Sequence, residues 1–214
     1  MRAGEWKEGT VAIHIAWWLG LLLAVPVIVQ AERLPIKTYT TADGLGSMFI
    51  ECIVRDSRGF LWICTRDGLS RFDGYRFITY TMEHGLPDPT INHLLETRKG
   101  VYWVATNGGG VCRFNPTARG PSSVAEKQQI TDNRQRTTDQ RLFTIYPVGD
   151  EPQTNRVNVL YEDRAGRLWA GTDGGLFRLD EKSGQFRRVE LGLPSRPDRS
   201  VGVGAFAEDR EGSL

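Results

Sequence analysis

The sequence predicts an all-β protein built from propeller blades of four antiparallel strands, and three observations support this fold class. First, the 214 residues include 24 glycines, which together with many aromatic residues favour short strands joined by tight turns. Second, three of the six tryptophans recur in closely similar stretches. Third, those stretches repeat with the period of about 40 residues that is typical of a four-stranded propeller blade.

The first 31 residues differ in composition from the rest of the chain. Val11 to Val29 contains no charged residue, and Gln30 and Ala31 follow it. Small residues at Val29 and Ala31 fit the two positions read by signal peptidase, which predicts cleavage after Ala31. An apolar run of 19 residues can also span a bilayer, so an uncleaved membrane anchor helix is the alternative. Both interpretations place residues 32–214, the predicted partial propeller, outside the cytoplasm.

One pattern of turn, tryptophan and second glycine-rich turn occurs three times and begins a fourth. The stretches are DSRGFLWICTRDGLSRFDG from Asp56, TRKGVYWVATNGGGVCRFNP from Thr97, DRAGRLWAGTDGGLFRLD from Asp163 and DREGSL from Asp209. Trp62 and Trp103 lie 41 residues apart, whereas Trp103 and Trp169 lie 66 apart. The excess of 25 residues corresponds to 117–141, a polar segment that predicts an inserted flexible loop.

Each repeat is predicted to form one blade. In the first repeat the four strands are SMFIECIVRD, FLWICT, LSRFD and YRFITYT, with turns at SRG, at RDG and at Gly74. The predicted units are about 40–80, 81–151 with the insertion at 117–141, 152–192 and a truncated unit at 193–214. One blade cannot bury both of its faces, so neighbouring blades are expected to cover them.

The turn and tryptophan positions that recur in the repeats are expected to have structural roles. We expect the tryptophans to pack against the next blade. The aspartate and glycine before each of them, with Thr97 in place of the aspartate in the second repeat, are expected to form the turn. The repeat positions are Gly59, Trp62, Gly100, Trp103, Gly166, Trp169 and Gly212.

At these residues the chain resembles the two-component regulator propeller repeat, which runs roughly Asp-x-x-Gly-x-Leu-Trp-x-Gly-Thr-x-x-Gly-Leu-x-Arg. The third repeat matches nearly throughout, and the others depart from the pattern at Cys64, Thr97, Tyr102 and Ala105. The resemblance implies the N-terminal part of the extracytoplasmic sensor region of a sensor histidine kinase, hybrid in some members, or of a diguanylate cyclase. It also implies a place at the periplasmic face of the bacterial inner membrane, a glycan or other small ligand, and a homodimer when intact.

About three and a half blades are fewer than the four to eight of a closed ring. We therefore expect this chain to be an N-terminal fragment whose partners are the remaining blades and the signalling domains of a longer protein; a released fragment would be secreted. A protein-interaction scaffold, and a propeller lyase or hydrolase acting on a glycan, are the alternatives. The formal net charge of +1 gives no basic face for nucleic acid.

Ligand contacts are expected in the loops between repeats, because ring-shaped repeats usually collect a binding site on one face. The candidates are Asp43, Leu45, His84, Pro87, Asp88, Arg196 and Asp198. Most other carboxylates lie beside a glycine in a turn, where they bind the local backbone. We therefore predict no catalytic residue, no metal and no cofactor in this chain, and neither His84 nor His93 has the helical setting of a phosphoacceptor.

The chain has three cysteines, Cys52, Cys64 and Cys112, and an odd number does not make a disulfide framework. Cys52 and Cys64 flank a predicted hairpin turn, so a bridge between adjacent strands is one alternative. Two buried thiols are the favoured expectation, since unpaired cysteine is among the most often buried residues.

Overall fold

The structure is a computed structural model that describes residues 36–118, 141–192 and 201–214. The signal or anchor segment, the cleavage position at Ala31 and most of the insertion lie outside the described residues. The chain divides into two units, Met1–Thr38 and Tyr39–Leu214, and all strands of the described residues lie in the second unit. In the described ranges, no helix has both the length and the apolar character needed to cross a membrane.

Three antiparallel sheets of four strands form the second unit, and each has its strands in chain order. Blade 1 contains β1 (Ile50–Arg55), β2 (Leu61–Thr65), β3 (Gly68–Phe72) and β4 (Phe77–Tyr80). Blade 2 contains β5 (Ile91–Glu96), β6 (Tyr102–Thr106), β7 (Val111–Phe114) and β8 (Phe143–Tyr146). Blade 3 contains β9 (Val157–Glu162), β10 (Leu168–Thr172), β11 (Gly175–Asp180) and β12 (Gln185–Val189). The predicted all-β class with four-stranded antiparallel blades is confirmed.

Short 3-10 helices precede the blades: η1 (Thr41–Asp43), η2 (Met82–His84) and η3 (Pro152–Asn155). In the sequence, the insertion lies between β7 and β8, which pair as neighbouring strands of blade 2. Residues 201–214, expected to begin another blade, contain a turn but no strand.

The second strand of each blade is apolar along nearly its whole length because both of its faces are covered. The strands β6 and β10 are buried at every position, and β2 at all but its first. Gly68 closes the turn after β2 at a φ of 115°, and a Cβ there would lie 2.3 Å from the Tyr80 carbonyl oxygen. Only glycine fits this position.

Neighbouring blades share their cores. One cluster joins Trp62, Leu69 and Tyr80 of blade 1 to Tyr102 and Phe114 of blade 2. The rings of Trp62 and Phe114 meet edge to face with centroids 5.4 Å apart. A second cluster joins blade 2 to blade 3 through Trp103, Val111, Leu160, Ala170 and Phe177. The first two repeat tryptophans therefore pack between blades.

The turn aspartates bind the tryptophans as well as the turns. In blade 1, Asp56 Oδ1 accepts from the Phe60 N–H at 2.9 Å, and Oδ2 accepts from Trp62 Nε1 at 2.9 Å. In blade 3, Asp163 accepts from the Arg167 N–H and from Trp169 Nε1, both at 2.8 Å. Sequence reasoning foresaw the turn but not the bond to the indole.

In blades 2 and 3, a glutamate at the end of the first strand reaches the turn of the preceding blade. Glu96 accepts from the Ser57 N–H at 2.7 Å, and Glu162 accepts from the Arg98 N–H at 2.8 Å. Glu208 repeats the contact with the Arg164 N–H at 3.2 Å. We call these three contacts the glutamate links. The third link places Glu208 beside the turn of blade 3, as Glu96 and Glu162 lie beside the turns of blades 1 and 2.

Cys52 and Cys64 form a disulfide, so the expectation of two buried thiols is wrong for this pair. The two residues lie directly opposite each other on β1 and β2. Their Cα atoms are 4.9 Å apart, a normal separation for a bridge. The two cysteines come this close because the turn between β1 and β2 pairs the strands in the register that sets Cys52 opposite Cys64. Cys112 is a buried free thiol, and burial raises its pKa to about 12.

Candidate functional site

A polar cavity of about 660 Å³ lies where the first strands of the three blades begin. Its lining contains one carboxylate, one guanidinium, one hydroxyl and three carboxamides. The residues are Glu51, Arg66, Thr90, Asn92, Asn107 and Asn158. Convergent polar groups in a concave site can fix the orientation of a small ligand.

Three of these residues occupy the same place in successive blades. Glu51, Asn92 and Asn158 are each the second residue of a first strand. The strand register shifts at each of them, so that none has a partner on the second strand. Such β-bulges re-aim a side chain away from the regular pleat. Each blade thereby contributes one polar side chain to the same end of the molecule.

Each bulge residue contacts the residue that follows the second strand of its own blade. Arg66 Nε donates to Glu51 Oε1 at 2.9 Å, and Asn92 Nδ2 lies 3.5 Å from Asn107 Oδ1. In blade 3, Asn158 Nδ2 donates to Asp173 Oδ1 at 3.0 Å. The same geometry therefore carries an ion pair in blade 1 and amide-based pairs in the others.

The two asparagine bulges also tie neighbouring blades together. Asn92 Nδ2 donates to the Val157 carbonyl at 2.9 Å, and Asn158 Nδ2 donates to the Val203 carbonyl at 3.3 Å. Within the described ranges, the Oδ1 atoms of both asparagines accept no hydrogen bond. These two acceptors are therefore held in place by the fold and remain open to a ligand.

An exposed aromatic ring lies beside the cavity. Phe49 is 63% exposed, and the Arg66 guanidinium lies 4.9 Å from its ring centroid. The Arg66 N–H also donates to the Phe49 carbonyl at 3.3 Å. Phe49 was not among the ligand-contact residues predicted from the sequence.

Several of the sequence-predicted ligand residues serve the loops that carry them. Asp43 Oδ2 accepts from the Thr40 N–H at 2.8 Å, and His84 Nδ1 accepts from the Thr81 N–H at 2.9 Å. Both contacts close the 3-10 turns η1 and η2, and Leu45 is buried behind the first of them.

The other candidates differ in how near they lie to the cavity. Asp88 Oδ1 accepts from the N–H of Thr90, a lining residue, at 2.9 Å. Pro87 lies against Gly109, where an added Cβ would be 2.6 Å from its ring. Arg196 and Asp198 lie outside the described residues. Ligand contact by any of these candidates stays a prediction.

The repeat itself contained a signal for the cavity residues. In INHLLE and VNVLYE a polar residue interrupts an apolar strand at its second position, as it does in IECIVR. Glu51, Asn92 and Asn158 are spaced by 41 and 66 residues, as the tryptophans are. A polar residue that recurs with the repeat, inside a strand, marks a surface shared by all blades. In the part of the chain that the structure describes, no group of histidine, cysteine or acidic residues could hold a metal ion.

Comparison with known families gives matches in all three blades. The model of the family described as two component regulator propeller matches residues 44–67, 85–108 and 152–174. Each match contains the whole first strand of its blade, including the bulge, and the whole second strand. The matched segments thus hold both the buried tryptophan and the polar bulge residue of each blade.

Histidine kinase P4 of Formosa agariphila is 40% identical to this chain over 58 residues, which are 27% of this chain and 4% of that protein. The extracellular domain of the hybrid two component system BT3049 from B. thetaiotaomicron has a TM-score of 0.56 and 25% identity, covering 74% of this chain and 21% of that one. The extracellular domain of BT4673 from the same organism has a TM-score of 0.58 and 20% identity, covering 84% and 20%.

This chain therefore spans about a fifth of the length of the two solved relatives and a smaller part of the kinase. The similarity in fold extends over all three blades, and the family matches fall at the same place in each. Each of the three blades contains a segment that matches the two component regulator propeller family, which is the family that this chain resembles.

Proposed function

We propose that this chain is part of the extracytoplasmic ligand-sensing region of a two-component sensor, and that the polar cavity binds a small polyhydroxylated molecule such as a glycan fragment. The observation that carries the proposal is the recurrence of one bulged polar residue in each of three family repeats, around a single cavity. The relatives include a histidine kinase and the extracellular domain of a hybrid two component system, which supports a sensor.

The cavity offers the groups that a neutral sugar needs. The open Oδ1 atoms of Asn92 and Asn158 accept from hydroxyl groups, and Thr90 can both donate and accept. The ion pair of Glu51 and Arg66 neutralises its own charge and leaves further guanidinium N–H groups to donate. Phe49 provides an apolar surface for the face of a sugar ring. This set favours a neutral ligand with many hydroxyl groups over a strongly charged one.

The whole protein is proposed to pass this binding event to a signalling domain. We place the sensing region on the periplasmic side of a bacterial inner membrane, joined to a histidine kinase or a diguanylate cyclase and working as a homodimer. Support comes from the family of the repeats and from the extracellular domains that share the fold.

The test is calorimetric titration of the full chain with a panel of neutral and uronic-acid oligosaccharides. Asn92→Ala and Asn158→Ala each remove one acceptor, so we expect affinity to fall about fivefold to tenfold per variant. Gln185→Ala is the matched control, because this exposed carboxamide lies on the outer strand β12.

Two results would count against the proposal. If no saccharide in the panel binds, the ligand class is wrong. If binding persists unchanged in both asparagine variants, the polar cavity is not the site; loss of binding in Asp88→Ala or His84→Ala would then favour the inter-blade loops predicted from the sequence.

A further inference from the structure

We infer that the Cys52–Cys64 disulfide positions the Glu51–Arg66 ion pair at the rim of the polar cavity, so that reduction of the disulfide loosens this pair and weakens ligand binding. The part that concerns binding rests on the proposed function. The part that concerns the ion pair stands on the geometry of blade 1 alone.

The disulfide lies beside both members of the ion pair. Cys52 directly follows Glu51 on β1, and Cys64 precedes Arg66 by two residues at the end of β2. The register places Cys52 opposite Cys64, and on the far side of the bulge it places Ile50 opposite Thr65. A bulge interrupts the regular ladder of backbone hydrogen bonds, so the two strands are held less firmly at this point. The covalent bond fixes them where the ladder is interrupted.

Among the described residues, blade 1 has no counterpart to the packing that holds the bulges of blades 2 and 3. Ile53 of β1 is 61% exposed, whereas Leu94 and Leu160 at the same position of β5 and β9 are 1% and 2% exposed. The preceding blade covers those two leucines. In the described ranges, no blade covers the corresponding face of β1.

Blade 1 also lacks a hydrogen bond that the other bulges make. Asn92 donates to the backbone carbonyl of Val157 in blade 3, and Asn158 donates to that of Val203, which follows blade 3 in the sequence. Glu51 is a carboxylate and cannot donate, so this tie is absent between blades 1 and 2. Among the described blades, the disulfide thus occurs in the one whose first strand has neither a preceding blade packed on it nor a hydrogen bond from its bulge residue to a neighbouring carbonyl.

Reduction by an external dithiol balances without further reactants. The Sγ–Sγ bond breaks, two electrons and two protons pass to the two sulfurs, and the dithiol becomes a cyclic disulfide. Cys112 takes no part, because burial keeps it protonated and a thiolate is the form that attacks a disulfide.

The experiment compares the full chain in three forms: oxidised, reduced with dithiothreitol, and carrying Cys52→Ser with Cys64→Ala. Cys112→Ser serves as the matched control, since it removes a buried thiol from the same core cluster. The first readout needs no ligand. NMR measures the rate of hydrogen exchange with solvent at the Arg66 Nε–H and at the backbone amides of Glu51 and Arg66.

We expect exchange at these groups to rise about tenfold in the reduced and doubly substituted forms, while the amides of β10 in blade 3 stay protected. The control should behave as the oxidised chain. Unchanged exchange after mass spectrometry confirms loss of the disulfide would overturn the inference. An equal rise in β10 would also overturn it, because the bond would then support the whole fold and not this pair.

The second readout is the affinity for the saccharide that binds best to the oxidised chain. Loss of a pre-organised ion pair should weaken it about fivefold. Affinity that is equal in oxidised and reduced forms would refute the binding part. If the oxidised chain binds no saccharide at all, the proposed function fails, and the exchange readout still decides the positioning role.

Discussion

At the scale of residues, the turn aspartates Asp56 and Asp163 each bind both the backbone of the turn and the indole of a tryptophan. Burial alone would raise the pKa of Asp163, but hydrogen bonds from Trp169 and Arg167 outweigh it and lower the pKa below its usual 3.8. Asp56 has the same balance, with Trp62 and Tyr102 as its main donors. Both groups are therefore charged at neutral pH, and each charge is satisfied by donors from the turn and from the second strand.

We predict that Asp163→Asn destabilises the protein by about 2 kcal/mol at pH 7, because a charge-assisted bond to Trp169 Nε1 and an ion pair with Arg167 are lost. A carboxylate whose pKa is lowered in the native state adds to the free energy of unfolding. This contribution is fully present above the usual pKa of 3.8 and disappears as the pH falls through the native pKa. The stabilities of variant and parent, measured by urea unfolding from pH 7 to pH 2.5, should therefore converge only at the acid end, well below about pH 4.

Blade 2 supplies the matched control for this prediction. Thr97 accepts from the Val101 N–H at 3.0 Å, but no bond from Trp103 to Thr97 is present in the described ranges. Thr97→Asp would give Trp103 Nε1 the acceptor that the other two tryptophans have, so we expect a gain of about 1 kcal/mol. A loss in Thr97→Asp, or no change in Asp163→Asn, would show that the indole bond contributes little.

At the scale of strands and turns, the glutamate links join each blade to the one before it. Glu162 ends β9 and accepts from the Arg98 N–H, and Arg98 Nε lies 3.4 Å from the same carboxylate. Blade 1 has Arg55 at the corresponding position, so its first strand does not present this acceptor. The links depend on turn geometry, because they use a backbone N–H that only the turn exposes.

We predict that Glu162→Ala lowers stability by about 1.5 kcal/mol, because the Arg98 N–H and guanidinium lose a charged acceptor. Glu190→Ala, an exposed glutamate with no contact of this kind in the described residues, should change stability by less than about 0.5 kcal/mol. Chemical denaturation of both variants measures the difference, and equal effects would contradict the role of the link.

For the whole molecule, stability follows from contacts between neighbouring blades. The two core clusters each span one pair of blades, and blade 2 contributes to both of them. In such an arrangement the free energy of unfolding is roughly a sum of blade terms and nearest-neighbour terms, so a change at one junction acts mainly on the blades beside it.

Trp62→Ala tests this picture, because Trp62 is fully buried at the junction of blades 1 and 2. We expect a loss of about 3 to 5 kcal/mol, with amide protection falling most in β1–β4 and least in β9–β12. In Trp169→Ala the loss should concentrate in blade 3, where Arg167 and Arg178 cover the ring. Hydrogen exchange resolves the two patterns; an even loss across all three blades would contradict the nearest-neighbour description.

The sequence by itself determined the strands, the turns and the repeat. Those features depend on local properties: apolar runs of strand length, aspartate and glycine at turn positions, and a tryptophan in each second strand. They were predicted because residues a few positions apart decide them.

The tertiary structure alone decided which side chains meet. It placed Glu51, Asn92 and Asn158 around one cavity, joined Asn92 to Val157 across 65 residues, and brought Cys52 onto Cys64. Each of these outcomes depends on a bulge, on strand register or on the approach of two blades. A shift of one residue in register would turn the same side chains to the other face. The repeat spacing marks the three bulge residues, but where they meet depends on contacts between residues that are far apart in the sequence.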